Sequence, residues 1–563
     1  MMREERKCQN CKAQFTIEPE DFKFYDKMAV PPPTFCPECR LIRRLSFRNE
    51  RHLYKRRCDL CTKEMISIFA PEKKYKVYCQ EDWWSDKWDP LSYGREYDFS
   101  KPFFEQFGEL MLRIPWANLI GSYQTWVNSE YNNQAGFLKN CYLISHASYN
   151  EDCYYGSGIK FSKDLVDTTM MQRSEGCYEC LNIIKGYQNF HSIDCENCYN
   201  IYFSKNLVGC NDCFGCINLR HKAYHIFNKP HTKGEYLKKL KEFNLGSFEN
   251  VQKIKEEAHA FWRKFPSKYY HGSHNQNVSG DYMYNSKNIF YSYEMIECED
   301  CKYCQNLSTP TSKDSYDYTE WGDKASFIYE SGHCGMGINM VKFSFTIYTD
   351  SHDVEYSMNL SDCQNVFASI ALRHKKYCIL NKQYSKSDYE ALREKIIAHM
   401  DKMPYTDKKG RVYRYGEFFP FELSPFGYNE TASEFFPLSK EEAVAKGYNW
   451  YQPKMREWVK SGYEVPDHIK DAKDDILDAV LTCISCEKNY RIIKPELKFY
   501  QRFEIPIPRK CHDCRHFERV KWRSPMRLLL RACGKCNKQV ETNITEEISP
   551  IIYCEECWLK EVV

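Results

Sequence analysis

Sixteen residues in this chain have the types and spacing of metal ligands. Cys8, Cys11, Cys36, Cys39, Cys58, Cys61, Cys79 and Asp82 recur as Cys483, Cys486, Cys511, Cys514, Cys533, Cys536, Cys554 and Cys557, every pair at a constant offset of 475. The register survives three intervening loops of unequal length, which points to one two-site module at both ends. Each Cys-x2-Cys pair supplies two thiolates from one tight turn, and two such pairs complete the closed tetrahedral set of structural zinc. About four zinc ions per chain are expected, none with an open position for catalysis. Dithiol redox chemistry is the competing use of such pairs. Asp82 stands where the other copy has Cys557. A carboxylate can replace a thiolate on zinc, which predicts a weaker, more exchangeable site; the alternative is a plain surface acid.

In each module the first site ends in a knuckle, Cys36-Pro-Glu-Cys39-Arg40 and Cys511-His-Asp-Cys514-Arg515. The segment from Lys7 to Arg44 resembles the small "probable zinc-ribbon" domain family, treble-clef or ribbon-like. In that family an N-terminal Cys-x2-Cys is followed by an aromatic pair and a Cys-Pro-x-Cys-Arg knuckle. Phe24-Tyr25 and Phe499-Tyr500 match the aromatic pair, and His512 departs from the pattern where Pro37 keeps it. The resemblance covers about 40 residues at each end and implies zinc and a fold, little more.

Between the two sites of the N-terminal module run Arg40, Arg43, Arg44, Arg48, Arg51, Lys55, Arg56 and Arg57, offset by Glu50 alone. Positions 40, 44, 48, 51 and 55 follow helical steps, so a helix leaving the knuckle would carry a basic stripe. The C-terminal copy has Arg515, Arg519, Lys521, Arg523, Arg527 and Arg531 against Glu518. A solvated face is the simpler account. Repetition of the bias beside rigid knuckles makes contact with nucleic-acid phosphates, of RNA or nonspecific nucleic acid rather than a defined DNA site, the leading functional expectation. The residues expected to carry it are Arg40, Arg43, Arg44, Arg48, Arg51, Lys55, Arg515, Arg519, Lys521 and Arg523. No base-reading motif accompanies them.

The elements that must position these residues follow from composition. A chain of 563 residues, 42% hydrophobic and 16% aromatic, can bury several cores. Net charge is only +3, so a nucleic-acid site would be a local patch. The charged start leads straight into Cys8 without a signal-peptide apolar run, and no stretch suits a membrane helix. A cytoplasmic setting follows, in which 30 cysteines serve as ligands or buried thiols rather than disulfides.

The expected architecture is multidomain and mainly β with some α. Double zinc modules at 1–90 and 481–563 flank a helical linker at 91–124, two solenoid-like halves at 125–265 and 266–402, and an aromatic, Pro-rich segment at 403–480. The halves read as a duplication: Ile217 to Lys229 aligns with Ile370 to Lys382 at an offset of 153, and each copy leads into a helical pattern. Cysteines recur there at short, fairly regular intervals, as in stacked β-solenoid coils where reduced Cys packs as a small hydrophobe. The motif also offers a candidate extra metal set, Cys210, His221 and His225, with counterparts Cys363, His374 and Cys378. A fourth ligand is lacking, since Cys213 and Cys216 correspond to Val366 and Ser369. In the 403–480 segment, Ser439-Lys-Glu-Glu442 is a capping box opening a short helix that Gly447 ends.

No phosphate-cradling Gly loop, Gly-x-Ser-x-Gly elbow or His-Glu-x2-His helix is present. The reading is an intracellular, non-enzymatic binding or scaffold protein. A β-helix enzyme acting on carbohydrate and a purely protein-binding scaffold are the alternatives. Clustered acids in a groove would favour the first, an exposed apolar patch the second.

Overall fold

The computed structural model describes residues 3–309, 311–453 and 458–562; the first two residues of the charged start lie outside them. The body is a β-solenoid whose rule is a period of three. From Asn140 onward, Leu143, His146, Tyr149 and Asp152 all have φ between 50° and 57°, and this continues along most of both halves. Two extended residues followed by one left-handed residue turn the chain through a corner. Neighbouring strands pair in parallel at an offset of 12 (Lys163 with Glu175, Glu175 with Tyr187, Tyr187 with Tyr199), so four such sides close one coil. Left-handed backbone is costly for residues other than Gly, and Asn and Asp tolerate it best. They fill many corners and bond from rung to rung, as Asn128 to Asn140 and Asn140 to Asp152 do.

The residue after each corner points inward. Cys141, Ile144, Ala147, Cys153, Ile159 and Leu165 share one core on this phase. Inward Ser residues hold the coils together: Ser331, Ser344, Ser357 and Ser369 each accept the N–H one coil on. The second half keeps the rule with longer coils at Ser312 to Ala325 and Ser326 to Asn339, where one inserted residue shifts the inward phase.

The two halves form separate sheets, Gly121 to Pro230 and Gly272 to Gln383. Each ends in an antiparallel hairpin, Ala223–Ile226 with Lys229–Pro230 and Lys376–Ile379 with Lys382–Gln383. A helix capped by Thr232 or Ser385 follows, over Lys233–Glu242 and Lys386–Lys402. The halves lie side by side and run in opposite directions. His146 of the first meets Glu320 of the second, while Asp194 meets Tyr282.

Each end module grips both halves. The strand Val77–Tyr78 of the N-terminal module pairs in parallel with Trp116–Ala117, which leads into the first half. The strand Ile552–Tyr553 of the C-terminal module pairs with Ser267–Lys268, which leads into the second. Arginines reach the opposite half, joined in the N-terminal module by Asp21 paired with Lys302 and Phe24 stacked on Tyr316. The modules also touch one another through Arg527 with Glu38 and Arg51 with Asp513. The segment from 403 onward buries Phe418, Phe419, Phe421 and Phe426 in the core shared by the N-terminal module and the second half. Its capping box forms as read, Ser439 with Glu442, and Gly447 ends the helix at φ +75°. Among the described residues no helix is long and apolar enough to cross a membrane.

Candidate metal centres and their arginine anchors

All sixteen candidate ligands come together as four groups, and within each the ligand atoms lie within 4.8 Å of one another. The local build is the same four times. A two-stranded hairpin carries the first Cys-x2-Cys at its tip, and Lys12, Thr62, Glu487 and Asn537 follow it in left-handed conformation, φ 60° to 65°. The second pair begins a helix: Cys36, Cys79, Cys511 and Cys554 are N-caps, and Cys39, Asp82, Cys514 and Cys557 lie in the first turn. A ribbon would have placed that pair on a second hairpin; here a knuckle is joined to a helix start, the treble-clef-like of the two forms expected. The gain is electrostatic, because helix N-termini favour negative charge and hold thiolates.

The spacing suits a metal. Cys11 and Cys36, Cys486 and Cys511, and Cys536 and Cys554 each have sulfurs 3.7 Å apart. A tetrahedron with metal–sulfur bonds of about 2.3 Å has edges of about 3.8 Å. Backbone N–H groups point at the thiols: Cys36, Cys79 and Cys554 donate to Cys8, Cys58 and Cys533, all at 3.3 Å. Burial pushes the Cys533 thiol up, but the N–H groups of Cys536, Cys554 and Lys535 outweigh it and bring it down to about 6. Asp82 lies within its group as a candidate ligand, with Oδ2 3.2 Å from Cys58 Sγ and 3.4 Å from Cys79 Sγ. Its other oxygen accepts from Lys87 at 2.9 Å. Hydrogen bonds from Cys61 and Lys87 hold its carboxyl well below the usual range.

The basic runs do something other than expected. The helix from Cys36 covers only Pro37–Ser46, and Arg40, Arg43, Arg44 and Arg48 are at most 1% exposed. Arg40 and Arg44 both clasp Asp317 of the second half, at 2.8 and 3.0 Å. Arg43 donates to both oxygens of Glu330, at 3.0 and 2.7 Å, and to Glu417 at 3.1 Å. Arg48 pairs with Glu50 and Glu320. In the C-terminal module the equivalent pair, Arg515 and Arg519, clasps Asp167 of the first half, both at 3.2 Å, and Arg515 also meets Glu496.

These six arginines face the protein's own acids and offer no surface to phosphates, which corrects their assignment as nucleic-acid contacts. Arg51 and Arg523 are half-buried and paired, the first with Asp513 and the second with Glu434 at 3.0 Å. Lys55 and Lys521 are exposed. Sequence reasoning missed the acids. Asp317, Glu330 and Asp167 sit at corner positions, where the period of three would have marked them as outward residues facing a partner.

The second candidate metal set does not form. Cys210, Cys363 and Cys378 point into the solenoid core. His221 and His374 occupy left-handed corners and point out, His374 to Asp362 at 2.6 Å. His225 turns back to the Ala223 carbonyl at 2.7 Å. The two corner histidines lie on the phase opposite to the cysteines, and His225, on the inward phase, is taken up by that carbonyl at the end of the solenoid half.

No protein-family model and no curated protein matches this chain. A solved structure named as a putative acetyltransferase, from Desulfovibrio desulfuricans, overlaps 49% of this chain and 86% of that one, at 10% identity and a TM-score of 0.10. So low a score carries no argument about fold or activity.

Proposed function

We propose that the four groups hold zinc and that the protein is a non-enzymatic binding scaffold, its two double-zinc modules acting as staples across the solenoid halves. The observation that carries this reading is the straddling geometry: each module joins one half by a parallel strand pair and the other by an arginine pair on a buried aspartate. Zinc fits a donor set of thiolates with one carboxylate and no open position. Hairpins of this size have little core without metal, so ligand chemistry would maintain the docking of the arginine helices.

Hydrogen exchange on chelator-treated and zinc-loaded protein tests the staple. Chelation should expose residues 37–46 and 512–520 to exchange before the solenoid strands. Unchanged protection of both helices after complete metal removal would contradict it.

A further inference from the structure

The interface between the halves is tied at both ends and open between them. At one end His146 meets Glu320 at 2.5 Å, and Lys160 donates to the Ser308 carbonyl at 2.7 Å and to Thr309 Oγ1 at 3.1 Å. At the other, Asn182 donates to Tyr284 at 3.3 Å and His271 reaches Asp194 at 3.3 Å. The two rungs between carry Gly158 and Met170 on one half, facing Glu294 and Asn306 on the other. Gly158, at φ +70°, presents no side chain where its ladder neighbours present His146 and Met170.

The result is a cavity of about 80 Å³. A single water needs about 10–15 Å³ on that measure, so the space suits a molecule of several heavy atoms. It shares His146, Lys160, Gln172, Ile296 and Ser308 with a wider groove of about 310 Å³ that offers a way in.

Two polar atoms in this lining have no hydrogen-bond partner among the described residues and no ion pair closer than 3.8 Å: Thr169 Oγ1, on a residue 3% exposed, and Glu294 Oε1, on one 9% exposed. Glu294's cation, Arg523, stands off at 3.8 Å and is turned to Glu434 at 3.0 Å. The other acids of the lining are answered, Glu50 by Arg48 and Glu434 by Arg523 and His516. Tyr282, Tyr284 and Phe435 supply aromatic wall, with Met170, Ile184 and Ile296 between.

We infer that this cavity binds a small organic cation, a primary amine on a short apolar body, whose ammonium donates to Glu294 and Thr169. The chemistry follows from what is missing. A buried carboxylate without a donor is costly, an ammonium supplies both donor and counter-charge, and aromatic walls favour cations. Burial pushes the Glu294 carboxyl up against the pull of Arg523, which is the state an incoming cation would relieve.

This inference rests on the reading of the protein as a binding scaffold, and its test keeps the two apart. Zinc-loaded protein of measured metal content is titrated calorimetrically with phenethylamine and putrescine, and with phenethyl alcohol as the neutral isostere. The expected result is saturable amine binding, weakened at least tenfold in Glu294→Gln and measurably in Thr169→Val, with zinc content and circular dichroism unchanged in both. Absence of amine binding, binding unaltered in both variants, or equal binding of the alcohol would overturn it. Loss of zinc in the wild-type protein would count against the staple and not against the cavity.

Discussion

Neutralising Glu330 should cost far more than losing any exposed ion pair. Three guanidinium groups, Arg40, Arg43 and Arg44, meet three carboxylates, Asp317, Glu330 and Glu417, with every side chain 5% exposed or less. Glu330 meets all three guanidinium groups: both oxygens accept from Arg43, Arg44 lies 3.7 Å and Arg40 4.0 Å away, and the Phe418 N–H donates to it at 3.1 Å. Glu330→Gln keeps the volume and removes the charge, leaving one buried cation uncompensated. Breaking a buried pair from one side costs about 3–5 kcal/mol. An exposed pair such as Lys63 with Glu81, 60% and 58% exposed, should give about 0–1 kcal/mol in Lys63→Ala. The assay is urea unfolding of both variants, followed by zinc release to a chromogenic chelator so that the N-terminal transition is read by itself. Arg43→Leu combined with Glu330→Leu should recover part of the loss, since removing both charges also removes the desolvation cost. A Glu330→Gln cost below about 1 kcal/mol would refute the view that these arginines are internal anchors.

Other consequences follow. His271 bridges the halves between Asp281 and Asp194; burial pulls it down, but the two carboxylates raise it to about 10 from an ordinary 6.5. Its contribution is therefore complete below pH 6.5 and fades as pH climbs toward 10, so His271→Gln should cost a few kcal/mol at pH 6 and little at pH 10 in urea titrations. Asp82→Cys should slow metal loss from the site at 58–82 under chelator competition, and Asp82→Ala should speed it at least tenfold, leaving the other three sites unchanged. Cys210→Ala should lower stability by about 1–2 kcal/mol without altering metal content, because that thiol fills the core; a lost metal equivalent would revive the second ligand set.

Much of this architecture was legible in the residues. The constant offset between the two ends identified all four ligand groups, because a tetrahedral set ties sequence spacing to geometry. The solenoid was visible in its punctuation, but its period of three was not. The cysteines from Cys141 to Cys216 all fall on positions divisible by three. Helix and strand periodicities of 3.6 and 2 do not look for such a pattern. The arginines misled for a physical reason: a basic stripe looks the same facing phosphates or buried acids. The acid answering Arg40 lies in the other half of the chain, and only the corner phase of Asp317 and Asp167 marks such partners. The cavity at Glu294 was out of reach, since it exists only where two antiparallel halves fail to fill their shared face.

The central claim is that closed metal centres fasten both ends of the chain to the solenoid, and metal content tests it most directly. Native mass spectrometry with elemental analysis of the purified protein should find about four zinc ions per chain, matching the four ligand groups. Two or fewer, with the protein still folded, would contradict the account.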